Sequence, residues 1–470
     1  MKLNLTLRNQ VHLLIAISFA ILFVRLLGIY LLPFYDTTES RYGEIARIML
    51  DTGNYITPQF NYDVPFWGKP PLHTWLSSLG FSIFGVNEFG GRIFHFILSL
   101  ATVGLVAHFV KHLTQSTTKM VIAITVLIST IGFTIAVGMV MTESALIFCT
   151  TLAIISYWNH HTGHNEVLNG YLVFVALALG LLVKGPVACV IIGLAIFNWC
   201  LLTRDFKQLL TLPWVSGLAL MLAISAPWYI LAELATPGFL EYFIVGEHIE
   251  RFLVSGWQGD LYGSAHKQAK GMIWLFWLAI AFPWSFVIFY QFVTSKTNKK
   301  PRKTVQAHPH LNKYLICCIV APLILFTFAS NILPIYGIPT IASLSILIAL
   351  NIQRMSLVIV PSTVSLLFLL TVTVYMYNGA KDYKTDKYLL SELSETDLSH
   401  LYQINDNSFS ARFYTKGKIR QVTSILEIPK IEKELFILAT HQVATELSKQ
   451  KACRILKENK RKLLLTCQEK

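Results

Sequence analysis

The sequence predicts a mainly α, polytopic transmembrane helical bundle of about eleven spans, with interfacial helices in the first outside loop and a small C-terminal α/β domain. Three observations predict it. Of 470 residues, 54% are hydrophobic and only 14% are charged, a composition far from that of soluble globular chains. Apolar runs of roughly 16 to 24 residues, long enough to cross a bilayer as helices, recur up to about residue 377. Lys and Arg collect in alternate connections between those runs, as the positive-inside rule requires.

The runs lie near 11–32, 89–110, 120–137, 141–158, 170–184, 186–202, 209–232, 272–294, 314–330, 333–350 and 356–377. The neighbours separated only by Lys184-Gly185-Pro186 and by Asn331-Ile332 also admit a reading as re-entrant hairpins. The first run follows Lys2 and Arg8 as a signal peptide would, but it is long and lacks a small-residue cleavage site. It is therefore read as a retained span.

With the N-terminus inside, the inner connections hold Lys2 and Arg8, Lys111 and Lys119, Arg204 and Lys207, the cluster Lys296, Lys299, Lys300, Arg302, Lys303 and Lys313, and Arg354. This patterning accounts for the net charge of +13 and excludes a nucleic-acid partner, because the basic residues fall between apolar runs rather than along one soluble face. The acids concentrate in two long outside loops, 33–88 and 233–271. The chemistry is thus expected on the non-cytoplasmic face, where an enzyme needs an activated substrate delivered on a lipid carrier.

After about Gly379 the chain turns polar, so residues 1–378 are expected to form the membrane domain and 379–470 a small outer domain. Its first twenty residues read as helical, and Ala411–Tyr414 and Leu435–Ala439 as short strands. Five of the seven cysteines lie in or beside apolar runs, where a thiol packs as a small hydrophobe. Cys453 and Cys467 lie in polar sequence on the outer side, where oxidation is permitted; a disulfide across a hairpin and two free thiols both remain open.

The stretch Tyr35–Trp75 carries the densest set of candidate groups. At 3.6 residues per turn Asp36 and Glu39 can share one helix face, with Arg41 nearby. An interfacial helix with solvated charges is the competing reading. Lys69 is held between Gly68 and Pro70-Pro71, a constrained cation suited to a phosphate. Ionisable residues within apolar runs are costly and count as functional candidates. Here they are Arg25, Glu143 and Lys184, for which a snorkelling or anchoring role is the alternative. In the second loop Glu247, His248 and Arg251 lie among aromatics; Glu247 and Arg251 are spaced for ordinary helix pairing, and no metal triad is indicated.

Several segments, spread over roughly residues 33–340, together resemble a known family: E-S-R-Y-G-E-I-A-R at Glu39–Arg47, K-P-P at Lys69–Pro71, F-G-V-N-E-F-G-G-R ending at Arg92, V-K-G-P at Val183–Pro186, E-H-I-E-R-F at Glu247–Phe252, F-P-W at Phe282–Trp284 and L-P-I-Y at Leu333–Tyr336. Their order and placement resemble the GT-C type integral-membrane glycosyltransferases, in the branch of the aminoarabinose lipid A transferases and the bacterial dolichyl-phosphate-mannose-protein mannosyltransferase-like proteins. The resemblance implies a polyprenyl-phosphate sugar donor, a catalytic carboxylate in the first outside loop, and an acceptor on the periplasmic face of the inner membrane. The chain departs from the family pattern at Thr38, where an aspartate is usual, at Gly68, at Glu143 in place of aspartate, and at Ile332 in place of lysine.

On this reading Asp36 or Glu39 takes the acceptor proton, or orients an ionised acceptor phosphate. Lys69, Arg41, Lys184 and Arg251 neutralise the departing phosphate. Glu143, Glu247 and His248 are expected to contact substrate, and a divalent cation among Asp36, Glu39 and Glu143 stays open. The acceptor is lipid A, another envelope glycan, or protein Ser/Thr. A transporter or flippase of lipid-linked sugars is the alternative from another class, favoured only if inverted repeats with broken helices were found.

Overall fold

The computed structural model describes residues 6–297, 310–379, 382, 384–404, 406–424, 427–428, 435–450 and 452–468. Most of the basic cluster expected inside, 299–303, lies outside the described residues.

Helix α1 (Leu7–Leu31) opens on a Thr6 cap and runs without interruption through the first apolar stretch. The long loop after α1 folds into α2 (Thr38–Thr52), a short hairpin of β1 (Gln59–Asn61) and β2 (Val64–Pro65), and α3 (Leu72–Phe84). Asn87 caps α4 (Glu88–Thr114), its side chain accepting from the Gly90 amide at 2.8 Å. A Cβ on Gly80 would lie 1.9 Å from the Gly90 carbonyl oxygen, so glycine is required where α3 and α4 touch.

The run at 120–137 is not one span. Thr130 adopts an extended conformation and divides it into α5 (Thr117–Ser129) and α6 (Ile131–Ala136). Helix α7 (Glu143–His161) is largely buried, and α8 (Glu166–Lys184) turns into α9 (Pro186–Thr203) at Gly185, whose φ of 74° suits glycine. Proline at the first position of α9 loses no helical hydrogen bond there. Helix α10 (Trp214–Ala235) completes this group and leads to a π-helical segment, Glu241–Glu250.

The expected span at 272–294 is likewise broken: Met272–Ile280 and Trp284–Tyr290 meet at 102°, where Pro283 cannot continue a helix. Among the described residues, seven helices are long and apolar enough to cross a membrane, and eight if that bent pair is one span. Thr117–Ser129 and Leu311–Thr327 are apolar but shorter. Of the eleven expected runs, those at 120–137 and 272–294 are broken, that at 314–330 holds a continuous helix of only 17 residues, and the continuous helix Glu143–His161 is not among the seven.

The C-terminal portion forms a five-stranded mixed sheet in the order β4-β3-β5-β7-β6, with β3 (Leu401–Ile404), β4 (Arg420–Val422), β5 (Leu435–Thr440), β6 (Ala452–Glu458) and β7 (Lys462–Gln468). Strand β3 runs parallel to β4 and β5, while β7 pairs antiparallel with β5 and β6. Alternation divides the residues between two cores: Leu463 and Leu465 pack with Ile437 and Leu447, whereas Leu464 packs with Leu389, Leu401 and Leu438. Cys453 and Cys467 face each other across β6 and β7 and form the disulfide. The region 380–400 holds only the short helices Lys387–Leu390 and Asp397–His400 among its described residues. Ala411–Tyr414, expected as a strand, belongs to helix Phe409–Tyr414. The Ser408 hydroxyl accepts from the Ala411 amide at 3.2 Å and caps that helix, and Phe413 packs against Phe34 and Phe81 of the membrane portion.

Candidate active site

Two adjoining spaces meet at a cluster of charges. The first is a polar cavity of about 500 Å³ bounded by the N-terminal end of α2, the loop carrying Lys69, the start of α7, the end of α8 and the second long loop. The second, about 420 Å³, is an apolar groove lined by Val187, Val190, Ile244, Phe252, Leu325 and Phe326, among others. Lys69, Lys184, Glu247, Arg251 and Tyr336 line both.

The Lys69 ammonium donates to Glu247 Oε2 at 2.9 Å and to the Gly68 carbonyl. Gly68 has no room for a side chain, because a Cβ would lie 2.9 Å from the Phe66 ring and 3.3 Å from Tyr262. Arg251 donates to Glu247 Oε1 at 2.9 Å and pairs with Asp260 at 3.2 Å. Lys184 donates to Glu143 Oε1 at 2.8 Å, while the Thr142 hydroxyl donates to Oε2 at 3.1 Å. The Lys184 ammonium also lies 4.9 Å from the centre of the Tyr336 ring. Arg41 enters from α2 and donates to the Tyr262 carbonyl at 2.8 Å.

Electrostatics in the loops follow from this pairing. Burial works against the Lys69 charge, but the Glu247 carboxylate together with Tyr42 and Tyr336 outweighs it and holds the ammonium above its ordinary value. Burial pushes the Glu247 carboxyl up, and Lys69 with Arg251 more than reverses that. The His248 imidazole is lowered by burial. It sits between the carbonyl oxygens of Phe243, 2.7 Å from Nδ1, and Lys184, 3.1 Å from Nε2, and so braces the end of α8.

Of the residues expected at the site, Arg41, Lys69, Glu143, Lys184, Glu247 and Arg251 come together at the cavity, and His248 lines the groove. Asp36 and Glu39, expected as the catalytic pair, do not line the cavity that holds Lys69. Helix α2 begins only at Thr38, so Asp36 precedes it and the helical spacing that would align the two carboxylates does not apply. Thr37, Thr38, Arg41 and Tyr42 face the cavity. Glu39, one residue beyond Thr38, is turned by about 100° and receives Arg92 at 2.6 and 2.7 Å. Asp36 instead accepts hydrogen bonds from Ser40, Ser408 and Ser410. The divalent cation expected among Asp36, Glu39 and Glu143 has no assembled ligand set: among the described residues no group of three His, Cys, Asp or Glu side chains fits a metal.

Further residues that were not expected line the cavity. Asp260, Tyr262 and His266 bring the far end of the second loop to the cavity, Tyr336 comes from the L-P-I-Y segment, and Phe409 comes from the C-terminal portion. Asp260 was visible only as one acid among many, and nothing local marks Phe409.

A family model described as dolichyl-phosphate-mannose-protein mannosyltransferase matches residues 11–243. The undecaprenyl phosphate-α-4-amino-4-deoxy-L-arabinose arabinosyl transferase of Erwinia tasmaniensis is 30% identical over 336 residues, 68% of this chain and 56% of that protein. The equivalent protein of Wigglesworthia glossinidia brevipalpis is 25% identical over 401 residues, 81% of this chain and 68% of that protein. The crystal structure of ArnT from Cupriavidus metallidurans bound to undecaprenyl phosphate superposes with a TM-score of 0.78 over 98% of both chains, at 15% identity. The chain belongs to this GT-C family.

Its helical frame and its small C-terminal sheet are therefore those of the GT-C fold, carried by a multi-pass membrane protein. This GT-C chain spans little more than half the length of the Erwinia relative. Thr38 and Glu143 both line the cavity.

Proposed function

We propose that the protein is an inner-membrane glycosyltransferase that moves a sugar from a polyprenyl-phosphate carrier to an acceptor on the periplasmic face, with lipid A or another envelope glycan as the acceptor. The observation that carries this reading is the junction of an apolar groove with a polar cavity at Lys69, Lys184 and Arg251. A polyprenyl chain fits the groove, its phosphate meets the three cations, and the sugar extends into the cavity. The relatives named above make an undecaprenyl-phosphate-linked aminopentose the first donor to test.

In the reaction an acceptor oxygen attacks the anomeric carbon as the bond from that carbon to the phosphate oxygen breaks. The electron pair leaves with the phosphate, and Lys69, Lys184 and Arg251 stabilise the charge that develops there. A hydroxyl acceptor must also lose a proton. Glu143 is the carboxylate placed to take it: when Lys184 turns toward the phosphate, the partner held at 2.8 Å leaves and Glu143 is freed as a base. Glu247 is held by both Lys69 and Arg251 and acts by positioning those cations. A phosphate acceptor arrives ionised and needs no base.

Membranes containing the protein are incubated with radiolabelled undecaprenyl-phosphate aminoarabinose and undecaprenyl-phosphate mannose, and the label is followed into lipid, polysaccharide and protein. Label in lipid or polysaccharide supports the reading. Label in protein Ser/Thr moves the acceptor to the protein-mannosyltransferase type, and no transfer from either donor rejects both.

A further inference from the structure

A separate cavity of about 240 Å³ opens between α1 and the last long apolar helix, Ser356–Asn378. Its charged lining consists of Arg25, Glu39 and Arg92. Arg92 and Glu39 are joined through two hydrogen bonds and are almost fully buried, at 4% and 3% exposure, so they neutralise each other. Arg25 is left over. Its Nη2 donates to the Val137 carbonyl at 2.5 Å, and its Nε has no partner among the described residues. Across the cavity the Ser365 hydroxyl is 5% exposed and also has no partner.

An excess cation with an unused donor, inside a membrane-embedded cavity, calls for an anion. The remaining walls are apolar. Phe368 and Ile135 are about half exposed at the mouth, which places it toward lipid rather than toward the polar cavity. Gly28 keeps the floor beside Arg25 open, since a Cβ there would only reach van der Waals contact with Leu32 and Arg25. We propose that this cavity holds an anionic membrane phospholipid, with its phosphate on Arg25 and Ser365 and an acyl chain along the Ser356–Asn378 helix. A single phosphodiester charge balances the single excess cation, whereas a zwitterionic headgroup brings an ammonium that finds no carboxylate here, Glu39 being taken by Arg92. The site lies apart from the groove that carries Lys69, so this inference does not depend on the donor reading.

The experiment is native mass spectrometry on the delipidated full-length protein in detergent, titrated with phosphatidylglycerol or phosphatidylcholine, with thermal unfolding read in parallel. The wild type should retain one phosphatidylglycerol preferentially and unfold at higher temperature with it. Arg25→Gln should weaken that binding about tenfold or more, the loss of one charge-assisted contact. Arg25→Lys should retain most of it, and Gly28→Leu, which fills the cavity while keeping the Arg25 charge, should abolish it. Lys69→Met should leave it unchanged, which separates this site from a polyprenyl-phosphate site. Equal retention of both lipids by the wild type, or undiminished phosphatidylglycerol binding in Gly28→Leu, overturns the proposal even if Arg25→Gln does not fold.

Discussion

Asp36 accepts hydrogen bonds from the Ser410 amide at 2.9 Å and from the Ser410 hydroxyl at 2.6 Å, joining the loop after α1 to the C-terminal sheet portion across 374 residues of sequence. Ser408, which also donates to Asp36, is hydrogen-bonded to Asp386, and Asp386 pairs with Lys462 at 2.6 Å. The carboxylate is a structural fastener in this network.

Replacement of this fastener separates it from a catalytic role. Asp36→Ala should loosen the C-terminal portion by about 2–3 kcal/mol, because buried serine donors lose a charged acceptor; limited proteolysis between residues 379 and 410 reads the effect. Asp36→Asn keeps one acceptor oxygen and should retain transfer within about tenfold. A fall of about a thousandfold with unchanged thermal stability would return Asp36 to the role of base.

Lys69→Met should depress turnover by about 10²–10³-fold, the scale of losing one fixed charge beside a departing anion. Glu247 retains Arg251 as a partner at 2.9 Å, so folding should survive. Unchanged turnover of the purified variant would remove Lys69 from the phosphate site.

Glu143→Gln distinguishes the two kinds of acceptor. With a hydroxyl acceptor, kcat should fall by about 10²–10⁴-fold, as expected for removal of a general base. With a phosphate acceptor it should fall by less than about tenfold, since no proton has to move. Equal losses with both would assign Glu143 to holding Lys184 instead.

The loop cluster should also have an acid limit. Although burial alone would raise it, Glu247 is held below its ordinary value by Lys69 and Arg251. A depressed carboxylate contributes stability that is fully present above its unfolded value, near 4.5, and is lost as pH falls through the lower folded value. Thermal unfolding followed between about pH 7 and pH 3 should show the decline beginning near 4.5, and Glu247→Gln should flatten it. An identical acid profile in the variant would show that other carboxylates set it.

Much of this arrangement is legible in the sequence because bilayer crossing leaves a strong apolar signal and because constrained cations stand out against it. Lys69 between glycine and two prolines, and Lys184 before Gly185-Pro186, reach the cavity as their local chemistry suggests. Helix starts are less legible. Asp36 lies before α2, which begins at Thr38, and Glu39 is turned toward Arg92 by its place one residue beyond Thr38, so neither carboxylate lines the cavity. Breaks such as Thr130 and Pro283 are visible as residues, but their effect on span number depends on tertiary contacts, including the hydrogen bond from the Ile131 amide to the Phe282 carbonyl at 3.0 Å. Phe409 is a purely tertiary contribution, brought to Arg41 by the docking of the Phe409–Tyr414 helix on α2.

That ring has a bearing on biosynthesis. Phe409 is synthesised long after Arg41, whose guanidinium lies 6.0 Å from its ring. The cavity wall is therefore completed only after the last long apolar helix has been made and the terminal sheet has folded, so the order of synthesis leaves a half-made chain without that wall.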